Sequence, residues 1–568
     1  MKQAKEKKEK LVEKMITITL RKDQTEEKIQ LPKGTPLYKF FPSHFPRPSG
    51  NPIVAAKVNH QDVDLWMELE EDCLVEPIDL SVYSGVKIYE RSLVLLLIRA
   101  VQELYPGHRL EVQHSLSRGL YCEIVGPQQI HRHMVEDLAK YMRKLVVHNE
   151  QFQRKQVSLA QARTIFKKHD RTDKLLLLKK YPGKKLTLHQ CCDSIGSFYG
   201  RVVPSASYLR NFELFYYPPG MILRFPDKHS PNTIPPFDEQ SHLFRVFQEH
   251  KSLAQILEVN NIGELNSKIA EGNISNLICV AEAMQEKKIG QIADQIKENQ
   301  QNIRIVLIAG PSSSGKTTFS KRLAVQLKVN GIDTAPVSLD NYFLSRSELR
   351  REANGEYDFE NVEALDIPLL NDHLNKLADG EEVMMPEYDF NTGNRKETSR
   401  PFSLKPGQIL ILEGIHALNP RLTPFVLELQ KFKIYISALT VLNIDSHNRI
   451  PTTDLRVIRR CVRDNFYRSY SALQTLKRWP SVRKGENMYI FPFQNTADMM
   501  FNSGMIYELS VLKPYAEPLL KKVPNDTDEY AEAQRLLTFL SYFDTIEPDK
   551  IPPTSILREF IGDSAFNY

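Results

Sequence analysis

The stretch Ile303-Arg-Ile-Val-Leu-Ile-Ala309, followed at once by Gly310-Pro-Ser-Ser-Ser-Gly-Lys-Thr317, decides the fold of the second half of this chain. The apolar run predicts a buried strand, and the segment Thr318–Lys328 that follows the loop is compatible with a helix. A loop placed this way surrounds phosphate oxygens with backbone N–H groups at a helix N-terminus. The pattern therefore predicts a phosphate-binding loop for a nucleotide. The alternative is a turn rich in Ser and Gly that matches by chance.

Each residue type in this loop has a physical role. Gly310 and Gly315 permit the tight backbone, Lys316 is placed to reach the β- and γ-phosphates, and the Thr317 hydroxyl can ligate Mg²⁺. The sequence therefore predicts ATP and Mg²⁺ as cofactors. The predicted ATP-binding residues are Gly310, Pro311, Ser312, Ser313, Ser314, Gly315, Lys316, Thr317 and Thr318.

Acidic residues follow two further predicted strands. The segment Asp333–Leu339 leads to Asp340, and the apolar run Gln408–Leu412 leads to Glu413. A carboxylate at the first position can accept a proton from an attacking hydroxyl, so Asp340 is the predicted general base, with a turn or capping Asp as the alternative. Glu413 is a natural metal-facing acid. The chain has no Asn-Lys-x-Asp motif for reading guanine, which disfavours a G protein.

An arginine stripe lies between Leu455 and Arg468. It places Arg456, Arg459, Arg460 and Arg463 at positions i, i+3, i+4 and i+7, on one face of a predicted helix. Such a stripe is often a solvated surface. After a phosphate loop and two strand-end carboxylates, it instead favours a helix that covers the triphosphate and offsets charge in the transition state.

The order and wording of these segments resemble the uridine kinase and phosphoribulokinase family of P-loop kinases. The similar stretches are Gly310–Thr318, Ser338–Phe343, Tyr357–Glu360, Met385–Phe390 with Arg395-Lys-Glu397, Leu412–Ile415 and Arg459–Asp464. The resemblance implies Asp340 and Lys316 as catalytic residues, and Thr317 and Glu413 as holders of Mg²⁺. It also implies a set of substrate residues, which are Tyr342, Glu360, Tyr388, Phe390, Arg463 and Arg468.

One position departs from the family pattern. Gly393 stands where uridine kinases carry a histidine that reads the base. Loss of a hydrogen-bonding side chain from a pyrimidine pocket removes a source of base discrimination. A nucleoside such as uridine or cytidine is the first predicted acceptor, and another sugar-like alcohol is the alternative.

Length and composition place this catalytic region within a larger protein. The chain has 568 residues and a net charge of +5, enough for several domains but too mildly basic to indicate nucleic acid by itself. The apolar run Leu93–Ile98 is flanked by arginines and predicts a core helix rather than a membrane span. The Lys- and Glu-rich start is unlike a signal peptide, and six cysteines form no recognisable framework, so cytoplasmic residence with buried cysteines is predicted.

The first half divides into segments with different patterns. A charged lead-in covers residues 1–14, strand-like pieces recur over 15–80, and a mixed pattern covers 81–226. The segment 227–300 combines a Pro-rich linker with a helical connector, and the kinase region covers 301–568. The sequence thus predicts a multidomain α/β protein whose C-terminal P-loop kinase has a parallel sheet flanked by helices.

The two N-terminal segments resemble threonyl-tRNA synthetase. The similar stretches are Ala56–Asn59, Ala100–Pro106, Gly119–Ile124, Val203-Pro204 and Leu209–Leu214. The resemblance implies a β-grasp-like TGS module over 15–80 and, over 81–226, an α+β domain like the second additional domain that carries editing. Its editing quartet of His, His, Cys and His aligns with Arg91, Leu95, Phe198 and Val202, so all four reactive groups are gone.

This half is therefore predicted to dock or regulate rather than to hydrolyse. A nucleotide-dependent regulator that contacts RNA or the ribosome is the alternative from another functional class. The charges predicted for such an RNA contact are, for example, Arg132, Arg143, Lys144, Arg154 and Lys155. A solvated helical face is the alternative explanation for them. His131 and His133, two residues apart, are weighed as metal ligands against the same explanation. No membrane contact is predicted, and a homo-oligomer is left open.

Overall fold

The computed structural model describes residues 14–22, 25–45, 51–349, 358–389 and 392–567. Within these ranges the chain forms two compact units. The first takes its residues from Met1–Arg171, Gly183–Glu239 and Ser446–Arg449. The second takes them from Thr172–Pro182, Gln240–Asp445 and Ile450–Tyr568. Each unit is described separately.

The strands and helices up to residue 239 alternate in short pieces around one long helix. In chain order they are β1 (Met15–Lys22), β2 (Thr25–Pro32), β3 (Thr35–Pro36), α1 (Leu37–His44), β4 (Ala55–Val58), β5 (Gln61–Val63), β6 (Glu68–Leu69), β7 (Cys73–Ile78), α2 (Tyr83–Leu104), β8 (Arg109–Leu116), β9 (Gly119–Val125), α3 (Arg132–Val147), β10 (Phe152–Ser158), α4 (Leu159–Lys168), α5 (Thr172–Leu177), β11 (Lys185–Cys191), β12 (Ser194–Gly196), β13 (Glu213–Tyr217) and β14 (Gly220–Arg224).

Three larger sheets organise the first unit. The first has the order β2-β1-β7-β4-β5, in which only β1 and β7 run parallel. In β1, threonines alternate with apolar residues, so Ile16, Ile18 and Leu20 point into the core. Antiparallel sheets with the orders β13-β14-β9-β8 and β10-β11-β12 follow. The strand predictions for the start of the chain are confirmed.

Helix α2 is the core helix predicted from the run Leu93–Ile98, because every residue of that run is buried. Its buried side chains belong to one apolar cluster, together with residues of the first sheet and of the later strands. Among the helices of the described residues, none is long and apolar enough to cross a bilayer.

The second half is built from longer helices around a central sheet. In chain order its elements are α6 (Ser241–Leu257), α7 (Ile262–Ala270), α8 (Ile274–Glu298), β15 (Ile305–Ala309), α9 (Lys316–Val329), β16 (Thr334–Ser338), α10 (Ile367–Ala378), β17 (Val383–Met385), β18 (Tyr388–Asp389), β19 (Asn394–Arg395), β20 (Arg400–Phe402), β21 (Ile409–Glu413), β22 (Lys431–Ser437), β23 (Asn443–Asp445), β24 (Asn448–Arg449), α11 (Thr452–Arg468), α12 (Ala472–Tyr489), β25 (Met499–Asn502), α13 (Glu508–Leu520), α14 (Tyr530–Leu540) and α15 (Arg558–Ile561).

The central sheet of the second unit is entirely parallel. Its order is β16-β21-β15-β22-β25. Every residue of β15 and β21 is buried, which agrees with their continuous apolar sequences, since helices cover both faces of a parallel sheet. The carboxyl ends of parallel strands lie at one edge. The loops that follow β15, β16 and β21 therefore open at the same edge, where α/β proteins bind ligands.

The helices between residues 240 and 300, α6 to α8, belong to this second unit. Glu286 of α8 accepts hydrogen bonds from Arg322 (2.6 Å) and pairs with Gln326, both on α9. The predicted start of the kinase region at residue 301 stays a prediction, but the helix that follows the phosphate loop packs on the connector. The prediction of buried cysteines is wrong for Cys279, which is exposed on α8.

Candidate functional site

The phosphate loop Gly310–Thr317 has the backbone that its glycines predict. A Cβ atom at Gly310 would lie 2.1 Å from the carbonyl oxygen of Ile436 on the neighbouring strand. Gly315 adopts φ +81° at the N-cap of α9, where a side chain would also meet Ile556 at 2.6 Å. The loop therefore tolerates only glycine at both positions and ends at a helix N-terminus, which favours bound anions.

Two serines of the loop have buried hydroxyl groups. The hydroxyls of Ser313 and Ser314 are buried, and among the described residues neither has a hydrogen-bond partner. Pro311 accepts a hydrogen bond from the Lys316 ammonium at 3.4 Å. In this arrangement the lysine side chain folds back onto its own loop.

Two strand-end carboxylates stand beside this lysine. Burial lowers the pKa of Lys316, while the charges of Glu413 and Asp340 act in the opposite direction. Burial, followed by the charge of Asp340, raises the pKa of Glu413 to about 7. The structure thus brings the ends of β15, β16 and β21 together, as the sequence predicts, with both acids close enough to act on one ammonium.

A divalent cation fits the same place by the chemistry of its donors. Glu413 accepts hydrogen bonds from the Ser338 hydroxyl at 2.8 Å and from the Thr317 hydroxyl at 3.4 Å. Hydroxyl and carboxylate oxygens are the ligands that Mg²⁺ prefers. Thr317 and Glu413 would hold the ion, which when bound neutralises charge on the β- and γ-phosphates.

Thr318, the last predicted ATP-binding residue, is engaged by an acid from the far end of the chain. Its backbone N–H and its hydroxyl both donate to Glu559, at 3.1 and 2.7 Å. Glu559 lies on the four-residue helix α15, 241 positions downstream. No local pattern marks it, so sequence reasoning missed it.

Helix α11 is buried from Asp454 to Val462, so the alternative of a solvated arginine face is wrong for its first three arginines. Arg456 and Arg459 are 1% and 0% exposed, although both carry a charge. Arg456 donates to the carbonyl of Ser312 at 3.1 Å, and Arg459 donates to that of Ser313 at 3.4 Å. These arginines therefore fasten the helix to the backbone of the phosphate loop.

Each of the two arginines has a buried carboxylate partner that the sequence did not reveal. Glu486 on α12 pairs with Arg456, and Glu508 at the start of α13 binds Arg459 at 2.7 and 2.8 Å. Burial lowers the pKa of Arg456 to about 9. Since these acids come from helices far along the chain, only folding pairs them with the arginines.

The next turn of α11 carries a second cluster, centred on Asp464. Its carboxylate binds Arg463 at 2.7 Å and Arg460 at 3.2 Å, and Arg468 lies 3.9 Å away. The three guanidinium groups hold the pKa of Asp464 well below its usual range, despite burial. Asp464 therefore orders Arg463 and Arg468, the two predicted substrate arginines.

The charges of these two arginines reach the catalytic groups. Arg463 is among the charges that lower the pKa of Lys316, and the negative charge of Asp340 acts on Arg468. The predicted site residues Lys316, Asp340, Arg463 and Arg468 thus lie within electrostatic range of one another.

The remaining predicted substrate residues differ in placement. Tyr388 is buried and lies 5.6 Å, ring to ring, from Phe343. Burial raises its pKa, and the charges of Arg346, Asp340 and Arg468 also act on its phenol. Phe343 was not predicted as a site residue, and Phe390 lies outside the described residues.

Tyr342, a predicted substrate residue, is buried in the structure. Its side chain is 1% exposed, and its hydroxyl bonds His373 at 3.0 Å and the sulfur of Met385 at 3.3 Å. The next residue, Phe343, is buried in the same core cluster, and its ring lies 5.6 Å from that of Tyr388. The predicted contact of Tyr342 with substrate stays a prediction.

Glu360 is buried against the arginine helix. Its carboxylate lies 3.7 Å from Arg460, and burial raises its pKa. A Cβ atom at Gly485, the one glycine of α12, would lie 2.2 Å from the Cβ of Glu360. Helix α12 therefore packs closely against Glu360 at this glycine. Sequence reasoning had no signal for Gly485.

Comparisons with known proteins agree with this geometry. Residues 305–510 match the Phosphoribulokinase / Uridine kinase family. A uridine kinase from Deinococcus deserti is 28% identical over 205 residues, which are 36% of this chain and 89% of that protein. A uridine kinase from Clostridium botulinum is 30% identical over 204 residues, 35% of this chain and 88% of that protein.

A solved structure titled as a possible uridine kinase from Bacillus stearothermophilus aligns with a TM-score of 0.27 at 18% identity, over 37% of this chain and 98% of that one. All of these matches cover about a third of this chain. The family match and the Clostridium botulinum relative, nearly nine-tenths of which is covered, decide the assignment. Through its C-terminal region, this chain belongs to the phosphoribulokinase and uridine kinase family of P-loop kinases.

Proposed function

We propose that the C-terminal region transfers the γ-phosphate of ATP to a hydroxyl of a nucleoside of the uridine or cytidine kind. The observation that carries the proposal is the position of Asp340, whose charge acts on both Lys316 and Glu413 at the mouth of the phosphate loop. A carboxylate there accepts the proton of an attacking hydroxyl while the lysine and the arginines stabilise phosphoryl charge. A protein that only binds and releases a nucleotide has no need of such a base.

Each group of residues has its own role in this reaction. The loop amides and Lys316 bind and orient the triphosphate. Arg463 and Arg468, held by Asp464, supply positive charge that offsets the charge of the transferred phosphoryl group. Asp340 holds the proton taken from the acceptor hydroxyl. A coupled assay for ADP, run with the full chain against a panel of nucleosides and sugar-like alcohols, tests the proposal. ADP release that no acceptor stimulates would contradict it.

A sugar-like alcohol is the second candidate acceptor, and Gly393 favours it. The glycine leaves no side chain at the position of the family's base-reading histidine, while the ring of Tyr388 can stack on any planar base. We therefore expect weaker choice between bases than a hydrogen-bond-reading pocket gives. In kcat/KM measurements with uridine, cytidine and a purine nucleoside, the ratios should stay below about 10⁴. A uridine preference beyond that range would show that another group fully replaces the histidine.

For the N-terminal half we propose a docking or regulatory role without hydrolysis. The four positions aligned with the editing quartet lie in the first unit. Arg91 donates to the carbonyl of Arg201 at 3.1 Å, beside the buried Val202. Leu95 and Phe198 both contact Gly196, whose Cβ position would lie 3.2 and 2.4 Å from them. None of these four side chains is a metal ligand or a base at neutral pH.

This half should therefore not deacylate mischarged threonine-specific tRNA. The assay uses the full chain, with Lys316→Ala as the control that removes nucleotide-dependent activity from the other half. The metal content after purification without chelators is measured in parallel. Deacylation well above the uncatalysed rate, or one tightly held zinc ion per chain, would show that the site is misaligned and that this half is an enzyme.

An RNA contact remains the alternative role for this half. The charges named for it are exposed, and they are Arg132, Arg143, Lys144, Arg154 and Lys155. Two of them already have partners, since Arg154 pairs with Asp64 at 2.7 Å and Lys155 bonds Gln190 at 2.8 Å. His133 is 86% exposed and lies 3.5 Å from Glu136, a surface pair rather than a ligand set. Binding of RNA with a steep dependence on salt would favour this alternative.

A further inference from the structure

The glycine that replaces the base-reading histidine is in close contact with an arginine. A Cβ atom at Gly393 would lie 2.1 Å from Nε and 2.5 Å from Cζ of Arg346. Gly393 also adopts φ +70°, a conformation that residues with side chains rarely adopt. The guanidinium of Arg346 therefore packs directly on the Gly393 backbone, in space that any side chain at residue 393 would need.

The backbone holds Arg346 firmly at this place. Its N–H donates to the carbonyl of Gly393 at 3.1 Å, and the N–H of Gly393 donates to the carbonyl of Asp389 at 2.7 Å. Arg395, on the returning strand β19, donates to the carbonyl of Phe343 at 2.9 Å and to Asp366 at 3.0 Å. The hairpin of β18 and β19 is thus tied to the segment that leads from Asp340 to Arg346.

The charge of Arg346 acts on one predicted acceptor residue, Tyr388. After burial, it is the largest influence on the pKa of Tyr388, and Asp340 and Arg468 act on the same phenol. Arg346 is half-buried, and among the described residues no carboxylate lies within ion-pairing distance of it. The phenol of Tyr388 thus lies within electrostatic range of the proposed base Asp340, of Arg468 and of Arg346.

We propose that Arg346 is a specificity-determining residue that reads oxygen atoms at the end of the acceptor away from the reacting hydroxyl. An arginine offers only hydrogen-bond donors, in a fixed fork, whereas a histidine can either donate or accept. The position therefore accepts carbonyl or carboxylate oxygens and disfavours amino groups. The proposal rests on the proposed kinase function of the same site.

Two kinds of acceptor present this chemistry, a pyrimidine with two carbonyl groups and a polyhydroxylated acid. The experiment distinguishes them by using uridine, cytidine and gluconate as acceptors with the full chain. If the acceptor is a pyrimidine nucleoside, the wild-type chain prefers uridine to cytidine by about 10- to 100-fold, which is the effect of one charge-assisted hydrogen bond. If the acceptor is a polyhydroxylated acid, gluconate is the favoured acceptor.

The variants are Arg346→Met, which keeps the apolar stem, and Arg346→Lys, which keeps the charge without the fork. Arg346→Met should raise KM for the favoured acceptor about 10- to 100-fold and abolish the preference, with KM for ATP unchanged. Arg346→Lys should recover part of the loss. Arg421→Met, at an exposed arginine paired with Glu363, is the matched control and should behave as wild type.

The outcomes separate the two proposals. If the wild-type chain phosphorylates an acceptor and Arg346→Met keeps its KM and its preference, Arg346 does not read the acceptor, while the kinase function stands. A change in KM for ATP instead of the acceptor also overturns the inference. If the wild-type chain phosphorylates none of the three acceptors, nor any other compound of the panel, the kinase proposal fails and the role of Arg346 fails with it.

Discussion

The substitution Asp340→Asn should keep ATP binding and lower turnover by about 10²-fold or more, because the asparagine amide cannot accept the proton of the acceptor hydroxyl. The side chains have nearly the same size, so the loop and Glu413 should stay in place. Turnover is measured by coupled ADP release at saturating acceptor, and ATP binding by titration calorimetry.

Lys316→Ala provides the contrast to this variant. Removal of the ammonium should abolish nucleotide-dependent activity, because the charge on the β- and γ-phosphates loses its closest cation in the loop. Comparison of the two variants separates a lost base, which spares binding, from a lost phosphate contact. Wild-type turnover by Asp340→Asn would show that the base is assigned to the wrong residue.

Glu508→Gln should lower the free energy of unfolding of the second unit by about 3–5 kcal/mol, the cost of leaving a buried charge without its partner. Arg459 is 0% exposed and Glu508 is 1% exposed, and two hydrogen bonds of 2.7 and 2.8 Å join them. Glutamine keeps the shape of the side chain but not its charge. Since Arg459 also donates to the carbonyl of Ser313, the phosphate loop should lose order together with stability.

Urea unfolding, followed with and without ATP, measures this effect. The double variant Arg459→Met with Glu508→Leu should recover most of the lost stability, because apolar replacement of both partners leaves no buried charge. It should not recover ATP affinity if Arg459 positions the loop. Asp372→Asn, which removes an exposed pair with Lys376, is the matched control and should unfold as wild type does. A loss in Glu508→Gln no larger than in this control would refute the prediction.

Local sequence patterns predicted the phosphate loop and the two acids that follow strands. Gly310 and Gly315 are required by backbone geometry that extends over a few residues, so the loop motif predicted it correctly. The strand-like segments before Asp340 and Glu413 predicted strands of a parallel sheet, and parallel strands align their carboxyl ends. The meeting of these two acids therefore follows from sequence and simple topology.

Periodicity was less informative about what surrounds each residue. It placed Arg456, Arg459 and Arg460 on one face of α11, but it could not tell a solvated face from a buried one. For Arg456 and Arg459 that difference depends on carboxylates contributed by α12 and α13, which no spacing relates to α11.

By itself, the sequence determined the phosphate loop, the strand-end acids and the family of the C-terminal region, because short-range backbone geometry and strand order fix those features. Only the tertiary structure decided the contact of Glu559 with Thr318 and the packing of Arg346 on Gly393. The physical reason is that such contacts form between segments far apart in the chain or across a turn. Their energy comes from burial and charge pairing, which exist only once the segments have been brought together.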